Sequence, residues 1–219
     1  MFEWKELLPG KIWLCEDAID YPIETVESLL EKSHLEQVAN TYAYNYTPLG
    51  FKVMTEAFHL DERFRDLHVQ LADRFNEIAN LRGLHFSLPA RYGRQMFLKY
   101  CGLGDRIAMH FENPSVHGPL AFAWYCTDET SSPLQWLSEQ GESDYLDQHP
   151  EERDDYTATV EAIRRDGHER VFFGDISYYP RRNTMLVFET NGCHVVPPQG
   201  PSNNRYPRLT VFGWPFTIK

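Results

Sequence analysis

In the second half of the chain the apolar residues come in short runs, each closed by glycine, proline or polar turn residues. The runs are Arg94 to Tyr100, Leu120 to Cys126, Val171 to Tyr179, Met185 to Glu189, Cys193 to Val196 and Leu209 to Pro215. Their length and their content of β-branched and aromatic residues predict strands rather than helices. Many short strands after a helical first part fit a mainly β fold with flanking α-helices, namely a double-stranded β-helix or jelly roll, whose mouth makes a ligand cavity.

The first part supplies the support. Lys11 to Ile19 reads as a strand, and Asp20 with Pro22 opens a helix carrying Ile23, Val26, Leu29 and Leu30 on one face. Tyr42, Tyr44 and Tyr46 alternate as in a strand, with a substrate-side loop as the alternative. From about Asp61 to Leu81, Phe64, Leu67, Leu71, Phe75 and Ile78 recur at intervals of three and four, which predicts a helix packing one apolar stripe on the outside of a sheet, with His68 structural. At 219 residues the expectation is a single domain: residues 1–90 form the N-terminal strand and supporting helices, and 91–216 the barrel. A helical insertion is expected at about 131–170. Pro150, the early acidic residues Glu151, Glu152, Asp154 and Asp155, and the late Arg164 and Arg165 before Gly167 mark a helix matched to its dipole, with Tyr156, Val160 and Ile163 inward. Its charges read as a solvated face, and its functional reading is a lid or substrate-selecting surface over the barrel mouth.

The chemistry lies in four residues. Side chains two apart on a strand share a face, so His110 and Glu112 can point together while Phe111 points away. A third ligand, His194, must come from a strand packed close by. Two histidines and one carboxylate form the facial triad that leaves iron(II) with open positions. An α-keto acid and dioxygen could fill them, and the far carboxylate of a keto diacid needs a fixed planar cation, which suits Arg208.

The order Tyr100, a Gly-containing loop, His110-x-Glu112-Asn113-Pro114, the apolar strand Leu120 to Cys126, Met185-Leu-Val-Phe188, His194-x-Val196 and Arg208 before Trp214 resembles the 2-oxoglutarate and iron(II)-dependent oxygenases, in their prolyl 4-hydroxylase-like branch. The resemblance covers about residues 92 to 216. It implies iron(II) held by His110, Glu112 and His194, 2-oxoglutarate held by Arg208, and dioxygen as oxidant; Tyr100 and Tyr125 resemble the tyrosines that line the cosubstrate pocket, with a core role as the alternative for each. The implied reaction is oxidative decarboxylation to succinate and carbon dioxide coupled to hydroxylation of an unactivated C–H bond, in proline of a peptide or in a free amino acid. Asn113, His117 and Trp214 are substrate-side candidates, against a turn role for Asn113-Pro114 and a packing role for Trp214.

Two features depart from the family pattern. Glu112 stands where Asp is usual, and its extra methylene moves the metal away from the strand. The interval from His194 to Arg208 (208 − 194 = 14) is long, and Pro197, Pro198, Gly200 and Pro201 imply an expanded turn. Arg205 lies in that turn and competes for the keto acid, whereas Arg208 begins an apolar run and so sits on a strand.

The balance of the chain sets exclusions. Net charge is −11, which opposes a nucleic-acid surface and favours a neutral or cationic substrate. No run reaches membrane-spanning length and no secretory signal is visible, so the expected location is cytoplasmic and the expected partner a small molecule or peptide. Cys15, Cys101, Cys126 and Cys193 fit neither a zinc spacing nor a disulfide framework, and Cys193 must face away from its neighbour His194. Gly102-Leu-Gly104 opens no helix and so is no phosphate loop. Arg181 and Arg182 after Pro180 read as a solvated turn. A non-catalytic jelly-roll metal- and ligand-binding protein, and a cupin-type metalloenzyme that uses no keto acid, are the competing readings. Oligomeric state is not legible.

Overall fold

A computed structural model of the protein describes residues 3–32, 37–38, 45–46, 51–54, 62–84, 96–102, 104, 106–110, 114, 118–127, 130–150, 174–203 and 208–214. Thirteen strands form two sheets among these residues. They are β1 (Trp4–Leu8), β2 (Ile12–Cys15), β3 (Gln37–Val38), β4 (Asn45–Tyr46), β5 (Phe51–Met54), β6 (Met96–Cys101), β7 (Arg106–His110), β8 (Leu120–Tyr125), β9 (Leu134–Trp136), β10 (Ile176–Tyr178), β11 (Thr184–Glu189), β12 (His194–Val196) and β13 (Arg208–Gly213). The helices are α1 (Ile23–Lys32), α2 (Arg65–Leu81) and α3 (Glu139–Gln148).

The larger sheet runs β1-β2-β11-β8-β13-β6-β5-β3 and the smaller β10-β9-β12-β7-β4. All of the strand pairs are antiparallel. This is the double-stranded β-helix expected from the strand pattern.

Alternation along the larger sheet separates two cores. Trp13, Cys15, Leu98, Leu120, Phe122, Trp124, Met185, Val187, Leu209 and Val211 belong to an outer cluster shared with the helices. Ile12, Leu14, Ala121, Ala123, Tyr125, Leu186 and Phe188 belong to an inner one shared with Leu134, Trp136 and Val196 of the smaller sheet. The helix stripe is as expected: Phe64, Leu67, Leu71, Phe75 and Ile78 are all buried, and Phe75 meets Phe122 of β8 edge-on at 6.2 Å. Glu62–Phe64 form a 3-10 turn that leads into α2. His68 is buried on the same helix.

Several boundaries shift. The strand expected over Lys11 to Ile19 is β2 alone, because Asp17 takes a left-handed φ of 49° and turns the chain toward α1. It pairs with β1, whose exposed positions hid its alternation from the sequence. Residues 134–136 of the stretch read as an insertion are barrel strand β9, hydrogen-bonded on both sides to β10 and β12. The helix that follows is α3, capped by the Ser138 hydroxyl accepting from Gly141 N. The helix expected after Pro150, with Tyr156, Val160 and Ile163, lies outside the described residues, as do Tyr42 and Tyr44. Arg182 is tied down: it donates to Glu24 and Glu27 of α1 and to the Cys126 carbonyl, so it holds a turn, while Arg181 is exposed. All four cysteines are free and buried.

Candidate active site

The register of the smaller sheet brings two of the expected ligands together. His110 ends β7 and His194 begins β12, and they are direct antiparallel partners, which puts both side chains on one face. Both are buried, and their rings lie 4.3 Å apart, centre to centre. Imidazoles on adjacent positions of one ion, with metal–nitrogen bonds of about 2.1 Å, have ring centres roughly 4.6 Å apart. The pair therefore fits a shared metal.

His194 is also set up as a ligand by its own loop. Its Nδ1 lies 2.9 Å from the Gly192 carbonyl, which can only accept, so Nδ1 carries the proton and Nε2 presents its lone pair. Burial pushes the ring's pKa down to about 4 against the opposing pull of that carbonyl, which keeps the imidazole neutral, as metal binding requires. Cys193 and Val195 face the other way, into a small cluster with Leu137 and Tyr145 of the α3 side. Among the described residues no third His, Cys, Asp or Glu joins the pair. Glu112, Asn113, His117 and Arg205 lie outside the described residues.

Arg208 opens β13, opposite Cys101 of β6, and is 3% exposed. Its guanidinium donates to the Ser132 and Pro133 carbonyls at 3.2 Å each and to the Tyr125 hydroxyl at 3.3 Å, with its carbon 5.4 Å from the centre of the Tyr125 ring. The start of β13 is fixed by the Thr127 hydroxyl, which accepts from Leu209 N at 2.7 Å, and by Cys126 N donating to the Leu209 carbonyl. Among the described residues no carboxylate pairs with this buried cation. A desolvated guanidinium held only by neutral oxygens is a site for an anion.

The two tyrosines expected to line one pocket separate. Tyr125 is in the inner cluster beside Arg208; burial raises its phenol above the usual value, with Arg208 opposing, so it is a neutral donor at ordinary pH. Tyr100 is opposite Leu209, not Arg208, and packs with the outer cluster. Strand alternation is the reason: paired residues share a face, and position 100 shares that of Leu98 and Leu209. Of the two roles expected for Tyr100, the outer placement is that of a core tyrosine, not of a residue lining the cosubstrate pocket. Trp214 is partly buried, edge-on to Phe212 at 5.7 Å and packed against both clusters, which is the packing role.

Ser132, Pro133, Thr127 and Asn183 escaped the sequence reading. Asn183 takes a left-handed φ of 60°, donates its N–H to the Tyr125 carbonyl, and accepts from Trp124 Nε1 and Ile19 N, so it anchors the end of β8 that carries Tyr125. Carbonyl and turn roles carry no side-chain signature; only the Asn itself, tolerant of that φ, offered a hint.

No family model and no curated protein matches the sequence. Solved structures do match in shape. A Pseudomonas putida prolyl-4-hydroxylase aligns over 97% of this chain and 96% of its own at 10% identity, TM-score 0.62. The fold is shared with prolyl hydroxylases. HygX from Streptomyces hygroscopicus, solved with nickel and 2-oxoglutarate bound, aligns over 95% of this chain and 84% of its own at 15% identity, TM-score 0.58. A Trichoplax adhaerens prolyl hydroxylase, solved with a hypoxia inducible factor degradation-domain peptide, does so at 16% identity and TM-score 0.52, with the same coverages. Among the described residues no helix is long and apolar enough to cross a membrane.

Proposed function

We propose that the protein is an iron(II)- and 2-oxoglutarate-dependent oxygenase that hydroxylates an unactivated C–H bond, with proline in a peptide or a free amino acid as the substrate class to test first. The observation that carries this reading is Arg208: a buried cation without a described carboxylate partner, in the same barrel as two facing histidines. His110 and His194 hold the metal with Glu112 as third ligand, and Arg208 with the Tyr125 phenol clasps the far carboxylate of the keto acid. When bound, the iron with 2-oxoglutarate and dioxygen supplies the oxidising power and releases succinate and carbon dioxide.

The chain's own contribution is placement and exclusion of water. His194 stays neutral because Gly192 fixes its tautomer and burial removes its proton. The apolar lining of Leu186, Phe188 and Val196 keeps competing water from the reacting centre. Ala121 and Ala123, on the same face of β8 as Tyr125, leave room that larger side chains would fill.

Succinate release on mixing the protein with iron(II), 2-oxoglutarate and a panel of amino acids and proline peptides is the expected outcome. A metal- and ligand-binding barrel without turnover would release none across the panel. Glu112→Ala should lose metal affinity together with His110→Ala, and unaltered metal binding in Glu112→Ala would remove that residue from the site.

A further inference from the structure

We propose that Trp136 positions the keto acid, its indole N–H donating to an oxygen of the carboxylate next to the ketone. This rests on the function proposed above and adds a residue to it. Trp136 ends β9 and is the direct antiparallel partner of His194, so its side chain enters the barrel on the histidine's face. It is 2% exposed, belongs to the inner cluster, and stands edge-on to Phe188 at 6.1 Å, while Phe188 stands edge-on to His194 at 5.3 Å. Its Nε1 is buried and has no acceptor among the described residues. Trp4, Trp13 and Trp124 each donate to a side-chain oxygen, of Glu77, Glu6 and Asn183 respectively.

A buried indole N–H is paired as a rule, since leaving it unmade forfeits its hydration without return. The Trp136 side chain belongs to the inner cluster at the histidine end, where a ligand oxygen would complete it. Tyr125, with Arg208 beside it, belongs to the same inner cluster further along the strands: Tyr125 is opposite Thr184 and Ala121 opposite Phe188, so about 13 Å of strand separates the two levels. A five-carbon keto diacid spans only roughly 5 Å between its carboxyl carbons, so the contact requires the long Arg208, Tyr125 and Trp136 side chains to supply the rest of that distance from their two strand levels. The main chain of Trp136 is packed directly against Gly174. A Cβ at position 174 would come within 2.4 Å of the Trp136 carbonyl oxygen and 2.8 Å of its nitrogen.

The test uses the full chain loaded with zinc(II), which is diamagnetic and does not turn over. Titration with 2-oxoglutarate should move the Trp136 indole proton resonance downfield and slow its exchange, the resonance being the one missing from Trp136→Phe. That variant should bind zinc as the parent does but bind 2-oxoglutarate at least about tenfold more weakly, the loss of one hydrogen bond to a charged acceptor. If the parent binds 2-oxoglutarate while the indole resonance stays in place and Trp136→Phe binds within threefold of it, the inference is overturned and the proposed function stands. If the parent binds zinc but no 2-oxoglutarate, the proposed function fails and takes this inference with it. Should Trp136→Phe not fold, the resonance is assigned instead as the one that survives in each of Trp4→Phe, Trp13→Phe, Trp124→Phe and Trp214→Phe, and its shift in the parent decides.

Discussion

Replacing Arg208 by Met removes the charge while keeping most of the aliphatic volume. Two charge-assisted hydrogen bonds to a ligand carboxylate are together worth roughly 3–4 kcal/mol, so 2-oxoglutarate should bind about two to three powers of ten more weakly. Ligand at about 100 times its dissociation constant stabilises the parent by roughly 2.7 kcal/mol, and a hundredfold weaker variant at the same concentration keeps only about 0.4 kcal/mol. At this chain length that is a melting shift of roughly 5–10 °C falling to about 1–2 °C. The ligand-free proteins should differ by no more than about 1 kcal/mol. The variant loses three long hydrogen bonds, of 3.2, 3.2 and 3.3 Å, but also a buried charge without a described carboxylate partner. Thermal unfolding and calorimetric titration of manganese-loaded protein, with and without 2-oxoglutarate, read both quantities. Two results would refute the reasoning. One is 2-oxoglutarate affinity retained within threefold. The other is a ligand-free loss above about 3 kcal/mol, the signature of a broken buried ion pair, which would mean that Arg208 already has an anionic protein partner.

Tyr125→Phe should weaken 2-oxoglutarate binding about two- to tenfold and Tyr100→Phe should leave it unchanged, a contrast read by titrating both; equal effects would contradict the outer placement of Tyr100. The metal-free protein should lose stability as pH falls from about 6.5 to about 4. The unfolded His194 takes up a proton in that window and the folded one does not, for a total of roughly 3 kcal/mol that His194→Asn removes in denaturant titrations across pH. Leu71→Ala, in the fully buried stripe of α2, should cost about 2–5 kcal/mol by chemical denaturation without changing metal affinity in the protein that remains folded.

The sequence by itself determined the class of fold, the order of the chemical residues and the pairing of faces along each strand. These are properties of local periodicity: an apolar stripe every three or four residues makes α2 whatever it packs on, and alternation turns Cys193 away from His194 wherever β12 lies. Alternation also decides between the two readings of Tyr100: likeness in order to related chains suggested the pocket, but the residue shares a face with Leu98 and Leu209 and takes the core role. β9 was lost inside an apparent insertion because it is only three residues long, too short for a period to register.

Tertiary structure decided what no spacing can encode. That His110 meets His194 is a matter of register between strands 84 residues apart (194 − 110 = 84), set by how the two sheets close. That Arg208 rests on the carbonyls of Ser132 and Pro133, and that the buried Trp136 indole N–H has no acceptor among the described residues, depends on where the folded chain puts main-chain oxygens. Backbone groups are identical in every residue, so only the folded path of the chain determines which of them a buried charge or a buried donor can reach.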